Sequence, residues 1–164
     1  MPHNAVLILC TGNSCRSQMA EFLVNHDRGE RWQAESAGTR PAGYVHPLAV
    51  RVLDEVGVDL TQGRSKSTDE FFGRQFDLVI TVCDSAAEDC PVWLGEGKRV
   101  HIGFPDPALA TGSEDERLAV FRQVRDDIRR TLIDYLDRSG AGCRRCNGCL
   151  TMTAPGCAGI SSPG

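Results

Sequence analysis

The 164-residue chain contains no apolar run long enough to cross a bilayer, because a spanning helix needs about 20 consecutive apolar residues. It also lacks any excess of basic charge: 18 Lys and Arg stand against 22 Asp and Glu, a formal charge of -4. A general nucleic-acid surface works by releasing counterions from a basic stripe, so that class of partner is excluded. The early stretch "AVLIL" has neither the basic leader nor the small-residue cleavage pattern of a secretory signal. The expected location is therefore the cytoplasm. Missing too is the Gly-Lys-Ser/Thr ending of a Walker nucleotide loop.

What is present reads as one globular domain. Hydrophobic residues make up 41% of the chain and charged residues 24%, enough for an apolar core at this length. The eight cysteines call for explanation, since a reducing compartment favours catalysis or metal binding over a disulfide framework. They fall into three groups: Cys10 and Cys15; Cys83 and Cys90; and Cys143, Cys146, Cys149 and Cys157.

Val6 to Leu9 is continuously apolar, the pattern of a parallel strand covered on both faces. Met19, Phe22 and Leu23 follow at helical spacing, predicting a helix from about Ser17. "WQAESAG" predicts a second strand ending at Gly38. "HPLAVRVLDEVG" predicts a helix with Pro47 in its first turn and its end at Gly57. "DLVITVC" and "RVHIGF" predict two further strands. Ser113 and Glu116 form a capping box for a long last helix, with Arg129 and Arg130 near its end. Its apolar stripe runs Leu118, Phe121, Val124, Ile128, Leu132 and Leu136. Alternating strands and helices indicate an α/β fold: a single doubly wound parallel sheet flanked by helices, over residues 1–138. Residues 139–164 are rich in Gly, Ser, Pro and Cys and nearly devoid of large apolar residues. They read as a flexible Cys-rich tail.

The chemistry starts at "CTGNSCRSQMAE". A loop at the carboxyl end of a parallel strand, leading directly into a helix, faces the free N–H groups and positive dipole end of that helix. Gly12 and Asn13 can take the left-handed angles that turn successive amides inward, and Arg16 adds a planar fork. Thr11, Gly12, Asn13, Ser14, Cys15, Arg16 and Ser17 would thus cradle a tetrahedral oxyanion. Cys10, at the base of the cradle, is expected as a thiolate, because a helix N-terminus and a neighbouring cation lower a thiol's pKa. None of His3, His26, His46 and His101 lies in a cysteine-protease context. Cys15 reads as a bystander thiol.

"CTGNSCRSQMAE" resembles the signature of thioredoxin-coupled arsenate reductases of the low-molecular-weight tyrosine-phosphatase fold, and the similarity spans about Val6 to Leu136. Cys-x5-Arg-Ser alone is shared with the phosphatases, so other residues must separate the two chemistries. In both families an Asp-Pro on a late loop supplies the acid, which the resemblance assigns to Asp106; a turn residue is the plainer reading of Asp-Pro. The phosphatases usually follow it with an aromatic that stacks on phosphotyrosine, and this chain has Ala108. The resemblance also assigns Cys83 as the thiol that attacks arsenylated Cys10 and Cys90 as the relay to thioredoxin. A glutaredoxin or small-thiol reductant stays open. Arsenate is the implied substrate, with phosphate and sulfate as competing oxyanions. If residues 83 to 90 were helical, their Cα atoms would lie roughly 10 Å apart, beyond the ~7 Å a disulfide allows. The relay therefore requires a weakly structured segment.

Further implications concern the support of the loop. Ser17 is expected to hydrogen-bond the Cys10 thiolate, and Asn13 to hold the loop's shape. In some relatives a monovalent cation sits near the counterparts of Asn13, Glu21 and Ser36; here Lys66 offers an ammonium that could replace it. No other cofactor is implied. In the tail, Cys143, Cys146, Cys149 and Cys157 could bind a soft metal ion or trivalent arsenic. Two readings therefore stand beside the reductase: a low-molecular-weight phosphatase, and an arsenite or metal carrier acting through the tail.

Overall fold

A computed structural model describes residues 3–88 and 97–139. Cys90 and the cysteines of the tail lie outside the described residues, so the relay and metal expectations placed on them have no structural account. The chain runs β1 (Asn4–Cys10), α1 (Arg16–Arg28), β2 (Trp32–Gly38), α2 (Pro47–Asp54), β3 (Leu78–Thr81), α3 (Asp84–Glu88), β4 (Lys98–His101) and α4 (Glu114–Ser139).

The four strands form one sheet in the order β2-β1-β3-β4, every neighbouring pair parallel. From β1 the chain first adds β2 on one side, then returns to add β3 on the other. The direction of winding thus reverses at β1, and a crevice opens at the carboxyl ends of β1 and β3. Val6, Leu7, Ile8 and Leu9 are each fully buried, which explains their unbroken apolar run; each contributes about 1.5–3 kcal/mol over an exposed position. At the other extreme β4 is mostly exposed along its length, and Lys98 and Arg99 discourage further pairing on it.

The helices begin and end for local reasons. α1 starts at Arg16, one residue earlier than expected. α2 has Pro47 at its first position, and the imidazole Nδ1 of His46 accepts the Leu48 N–H at 3.1 Å. Regular helix stops at Asp54, three residues short of the expected Gly57. The chain then closes a turn in which Gly57 takes φ 77° and Val58 N–H returns to the Leu53 carbonyl. α4 opens on the reciprocal capping box, Ser113 N–H to Glu116 Oε2 at 2.9 Å and Glu116 N–H to Ser113 Oγ at 3.2 Å. All six residues of its apolar stripe are buried. Because α4 continues to Ser139, Arg129 and Arg130 lie in its middle rather than near its end. Arg129 grips the Asp27 carboxylate of α1 at 2.7 and 2.8 Å, joining the two helices.

Two strands are displaced from their expected limits. β3 ends at Thr81, not Cys83, although Val82 still donates to the Leu9 carbonyl and accepts from Phe104 N–H. The chain then turns so that Cys83 stands directly before α3. β4 is Lys98–His101, and the "IGF" that follows is already loop.

Candidate active site

The loop between β1 and α1 is held open from outside. The carbonyls of Cys10, Thr11, Gly12 and Ser14 accept the amides of Thr39, Arg40, Ala42 and His46, at 2.8 to 3.2 Å. A planar trans peptide sets each N–H opposite its carbonyl. The amides of Thr11, Gly12, Asn13 and Cys15 therefore face the inside of the loop. Gly38, at the end of β2, lets this packing happen: a Cβ there would sit 2.5 Å from the Thr11 carbonyl oxygen.

Asn13 is the hub. It is fully buried and takes φ 48°, the one non-glycine residue at positive φ among the described residues. Its Nδ2 donates to Ser17 Oγ at 2.8 Å and Ser36 Oγ at 2.9 Å. Its Oδ1 accepts from Gln18 Nε2 at 2.9 Å and from Lys66 N–H at 2.7 Å. The Ser17 hydroxyl is thus engaged with the Asn13 amide, while Cys83, Arg16 and the Asn13 amide are the groups that act on the Cys10 sulfur. This corrects the expected Ser17–Cys10 bond; Ser17 lies one helical turn beyond Asn13 and stiffens the loop rather than touching sulfur.

Behind Asn13 lies a buried ion pair. Lys66 Nζ reaches Glu21 Oε2 at 3.1 Å, with 11% and 12% of the two side chains exposed. The Ser36 hydroxyl also donates to that Glu21 oxygen. The ammonium therefore occupies the neighbourhood of Asn13, Glu21 and Ser36. Burial raises the Glu21 pKa even so, against the lowering effect of Lys66 and Ser36.

Cys10 and Cys83 are free thiols, both buried, and close enough that each shifts the pKa of the other. The Thr11 hydroxyl lies 3.3 Å from the Cys83 sulfur. The hydrogen bond from Cys10 lowers Cys83 most, to about 5, against opposing burial; Thr11 and the amides of Ala86 and Thr11 lower it further. Cys10 moves the other way, raised first by its bond to Cys83 and then by burial, while Arg16 and the Asn13 amide pull it down by less. The two thiols are therefore shifted in opposite directions, Cys83 toward the thiolate and Cys10, against expectation, toward the neutral thiol. The loop amides and Arg16 do act on Cys10, but the neighbouring Cys83 and burial outweigh them. Cys15, beneath the loop as the residue preceding α1, is raised to about 11 by burial and remains a thiol.

Arg16 spans the mouth. Its Nη1 donates to the Phe104 carbonyl at 3.1 Å, and its Nη2 lies 3.2 Å from Asp106 Oδ2. Its Nε is buried without a partner among the described residues. Such an orphan donor costs about 1–3 kcal/mol unless something accepts from it, as an oxyanion in the loop would. Asp106 caps the following turn, its Oδ1 accepting Ala108 N–H at 3.0 Å, and its Oδ2 faces Arg16.

The segment after Cys83 is helical from Asp84 to Glu88, more ordered than its composition suggested. Sequence reasoning missed Gln18, whose amide also binds the Asn13 and Arg64 carbonyls at 3.2 and 2.7 Å. It missed Ser65 as well, which donates to the Gly12 carbonyl at 3.1 Å. A lone amide in the buried first turn of α1 was the one available signal for Gln18; Ser65 offered none. Among the described residues no group of three or more His, Cys, Asp or Glu could hold a metal ion.

The sheet order, the oxyanion loop and the late Asp-Pro turn define a class. Residues 5–141 match the low molecular weight phosphotyrosine protein phosphatase family, and the chain belongs to that family. Within it, an arsenate reductase of Halalkalibacterium halodurans is 43% identical over 137 residues, 84% of this chain and 98% of that one. An arsenate reductase solved in its oxidized state superposes with a TM-score of 0.69 at 26% identity, covering 82% of this chain and 98% of that one. A low molecular weight protein tyrosine phosphatase from T. tengcongensis superposes nearly as well, TM-score 0.68 at 28% identity over 83% and 99%. A reductase and a phosphatase thus share this backbone, and side chains must separate the two chemistries.

Proposed function

We propose that this protein reduces arsenate to arsenite. The observation that carries the reading is the second buried free thiol, Cys83, which lies near enough to the loop cysteine for each to shift the other. A hydrolase needs one sulfur, because water resolves its intermediate; a reductase must supply two electrons, which two thiols can give. The likeness to arsenate reductases over most of the chain supports the same reading.

Arsenate enters the ring of amides and meets Arg16, whose Nε is the unpartnered donor. The proton shared by the two sulfurs passes to Cys83, leaving Cys10 as the nucleophile. Cys10 bonds to arsenic, and the departing oxygen takes a proton from Asp106 and leaves as water. Cys83 gives its proton to water and, as the thiolate, attacks the Cys10 sulfur. The S–S bond forms and the S–As bond breaks with its electron pair going to arsenic, so As(V) becomes As(III) while the two thiols become a disulfide. Cys90 then attacks Cys83 and carries the disulfide to thioredoxin, which requires the helix after Cys83 to unwind. Lys66 supplies the charge that a monovalent cation would otherwise supply beside Glu21, so turnover needs no potassium. The cytoplasm, where reduced thioredoxin is found, is the location this cycle needs.

The test is steady-state arsenite production with thioredoxin, thioredoxin reductase and NADPH, against a glutaredoxin control. Cys83→Ser abolishes it while any p-nitrophenyl phosphate hydrolysis survives, since that reaction uses Cys10 alone. Retained arsenate turnover in Cys83→Ser would sink the two-thiol mechanism. Ala108 in place of an aromatic disfavours an aryl-phosphate substrate. Removing residues 140–164 leaves turnover unchanged, which separates the reductase from a carrier acting through its tail.

A further inference from the structure

One residue beside the Cys83 turn takes no part in the cycle above. His101 is the last residue of β4, paired in register with Thr81 of β3. Its Nδ1 lies 2.9 Å from Thr81 Oγ1, and its Nε2 lies 3.1 Å from Asp84 Oδ1. Thr81 and Asp84 bracket Cys83 in the chain, so one imidazole spans the turn that carries the sulfur. The tautomer follows from the partners. A carboxylate only accepts, so Nε2 carries the hydrogen; Nδ1 then accepts from the Thr81 hydroxyl, and both bonds form with the ring neutral. Protonation keeps both, because the Thr81 oxygen can accept as well.

The surroundings are shaped for this contact. Gly103 faces the pair, and a Cβ there would lie 3.0 Å from His101 Nε2 and 3.6 Å from Asp84 Oδ1. His101 itself is anchored in the sheet, while the Asp84 side chain is 94% exposed. The bond therefore joins a rigid strand to the first residue of α3, in water, where it is cheap to break.

We propose that His101 is a positioning residue for the resolving step: it holds the Thr81–Asp84 turn so that Cys83 faces Cys10, and releases Asp84 when α3 unwinds. This rests on the reductase reading. With Thr11 fixing the sulfur from the loop side and His101 fixing the turn from the β4 side, Cys83 is held from two directions. Loss of one leaves the thiol present but poorly aimed, and misplacement of a reacting atom by about 1 Å can cost 10²-fold in rate.

The experiment is single-turnover arsenite release without reductant, run beside p-nitrophenyl phosphate hydrolysis and thermal unfolding. His101→Leu removes both bonds, His101→Asn keeps a group near Thr81, and His101→Gln keeps one near Asp84. Arsenite release in His101→Leu falls at least about tenfold, with partial recovery in the two amide variants. Hydrolysis at Cys10 and the KM for arsenate stay within about twofold of wild type. Wild-type arsenite release in folded His101→Leu overturns the proposal, and so does equal loss of both activities. If His101→Leu does not fold, Asp84→Ala on the exposed side decides: slowed release supports the role and an unchanged rate overturns it. A wild type that releases no arsenite refutes the reductase reading itself.

Discussion

Replacing Lys66 by Ala strands the Glu21 carboxylate. The pair is separated by 3.1 Å and each side chain is almost nine-tenths buried, so water cannot take over the role of the ammonium. Removing one partner of a buried pair costs about 3–5 kcal/mol. For a domain of this size each kcal/mol lowers Tm by about 2–4 °C, giving a fall of about 6–20 °C near neutral pH. The loss depends on pH with a definite sign. Burial already holds Glu21 above its ordinary value with Lys66 present, and the variant raises it further. A carboxyl that binds its proton more tightly folded than unfolded loses stability as pH rises from its unfolded value to its folded one. The deficit of Lys66→Ala is therefore largest at pH 7 to 8 and shrinks as pH falls toward the ordinary glutamate value. The cavity left beside Glu21, Ser36 and Asn13 has oxygen ligands suited to a monovalent cation. Potassium should then restore part of the lost Tm in the variant and do little in wild type. Thermal unfolding by circular dichroism at pH 5 and pH 8, in potassium and choline chloride at equal ionic strength, measures all of this. An equal deficit at both pH values refutes the buried-charge argument, and equal potassium gains in both proteins refute the substitution of ammonium for ion.

Four further outcomes are expected. Asp106→Asn, which keeps the turn but cannot give a proton, lowers arsenate turnover by about 10²–10⁴-fold with thiol alkylation rates unchanged; a loss under about threefold removes Asp106 from the chemistry. Asn13→Ala leaves Lys66 N–H and the Gln18 amide without their buried acceptor, at about 1–3 kcal/mol each. It also puts alanine at φ 48°, a conformation that Asn and Gly visit more readily; Asn13→Gly avoids only that second part, and calorimetry should rank wild type, Gly, Ala in falling stability. With Cys83 lowered to about 5, its labelling by iodoacetamide is flat from pH 6 to 8 and falls below pH 5, where the thiolate gains its proton. Cys83→Ala frees Cys10 of the bond that raises it most, so peptide mapping finds Cys10 labelled faster at pH 7 than in wild type; slower labelling contradicts the shared-proton arrangement.

The features legible in the sequence were those written locally. Val6 to Leu9 had to be a two-sided buried strand because no alternation interrupts them. The Ser113–Glu116 box and the stripe from Leu118 to Leu136 fixed α4, since capping and helical periodicity need only neighbours in the chain. The loop motif likewise announced an oxyanion cradle, because a strand, a glycine, an asparagine and a helix N-terminus suffice to turn amides inward. Helix ends were less legible, as with α2, where a left-handed glycine sits past the regular turns rather than at their end.

Only the tertiary structure decided what those residues touch. Ser17 partners Asn13 instead of sulfur, because Asn13 is pinned at once by Ser36 and Lys66 from distant parts of the chain. Cys83 is shifted toward the thiolate, because Cys10, Thr11 and the Ala86 amide all gather around it in the fold. His101 carried no signal at all until β4 set it beside Thr81 and α3 brought Asp84 within reach. Secondary structure follows from interactions a few residues long, whereas the position of a proton depends on burial and on every dipole nearby. Those are properties of the folded arrangement, and no window along the sequence contains them.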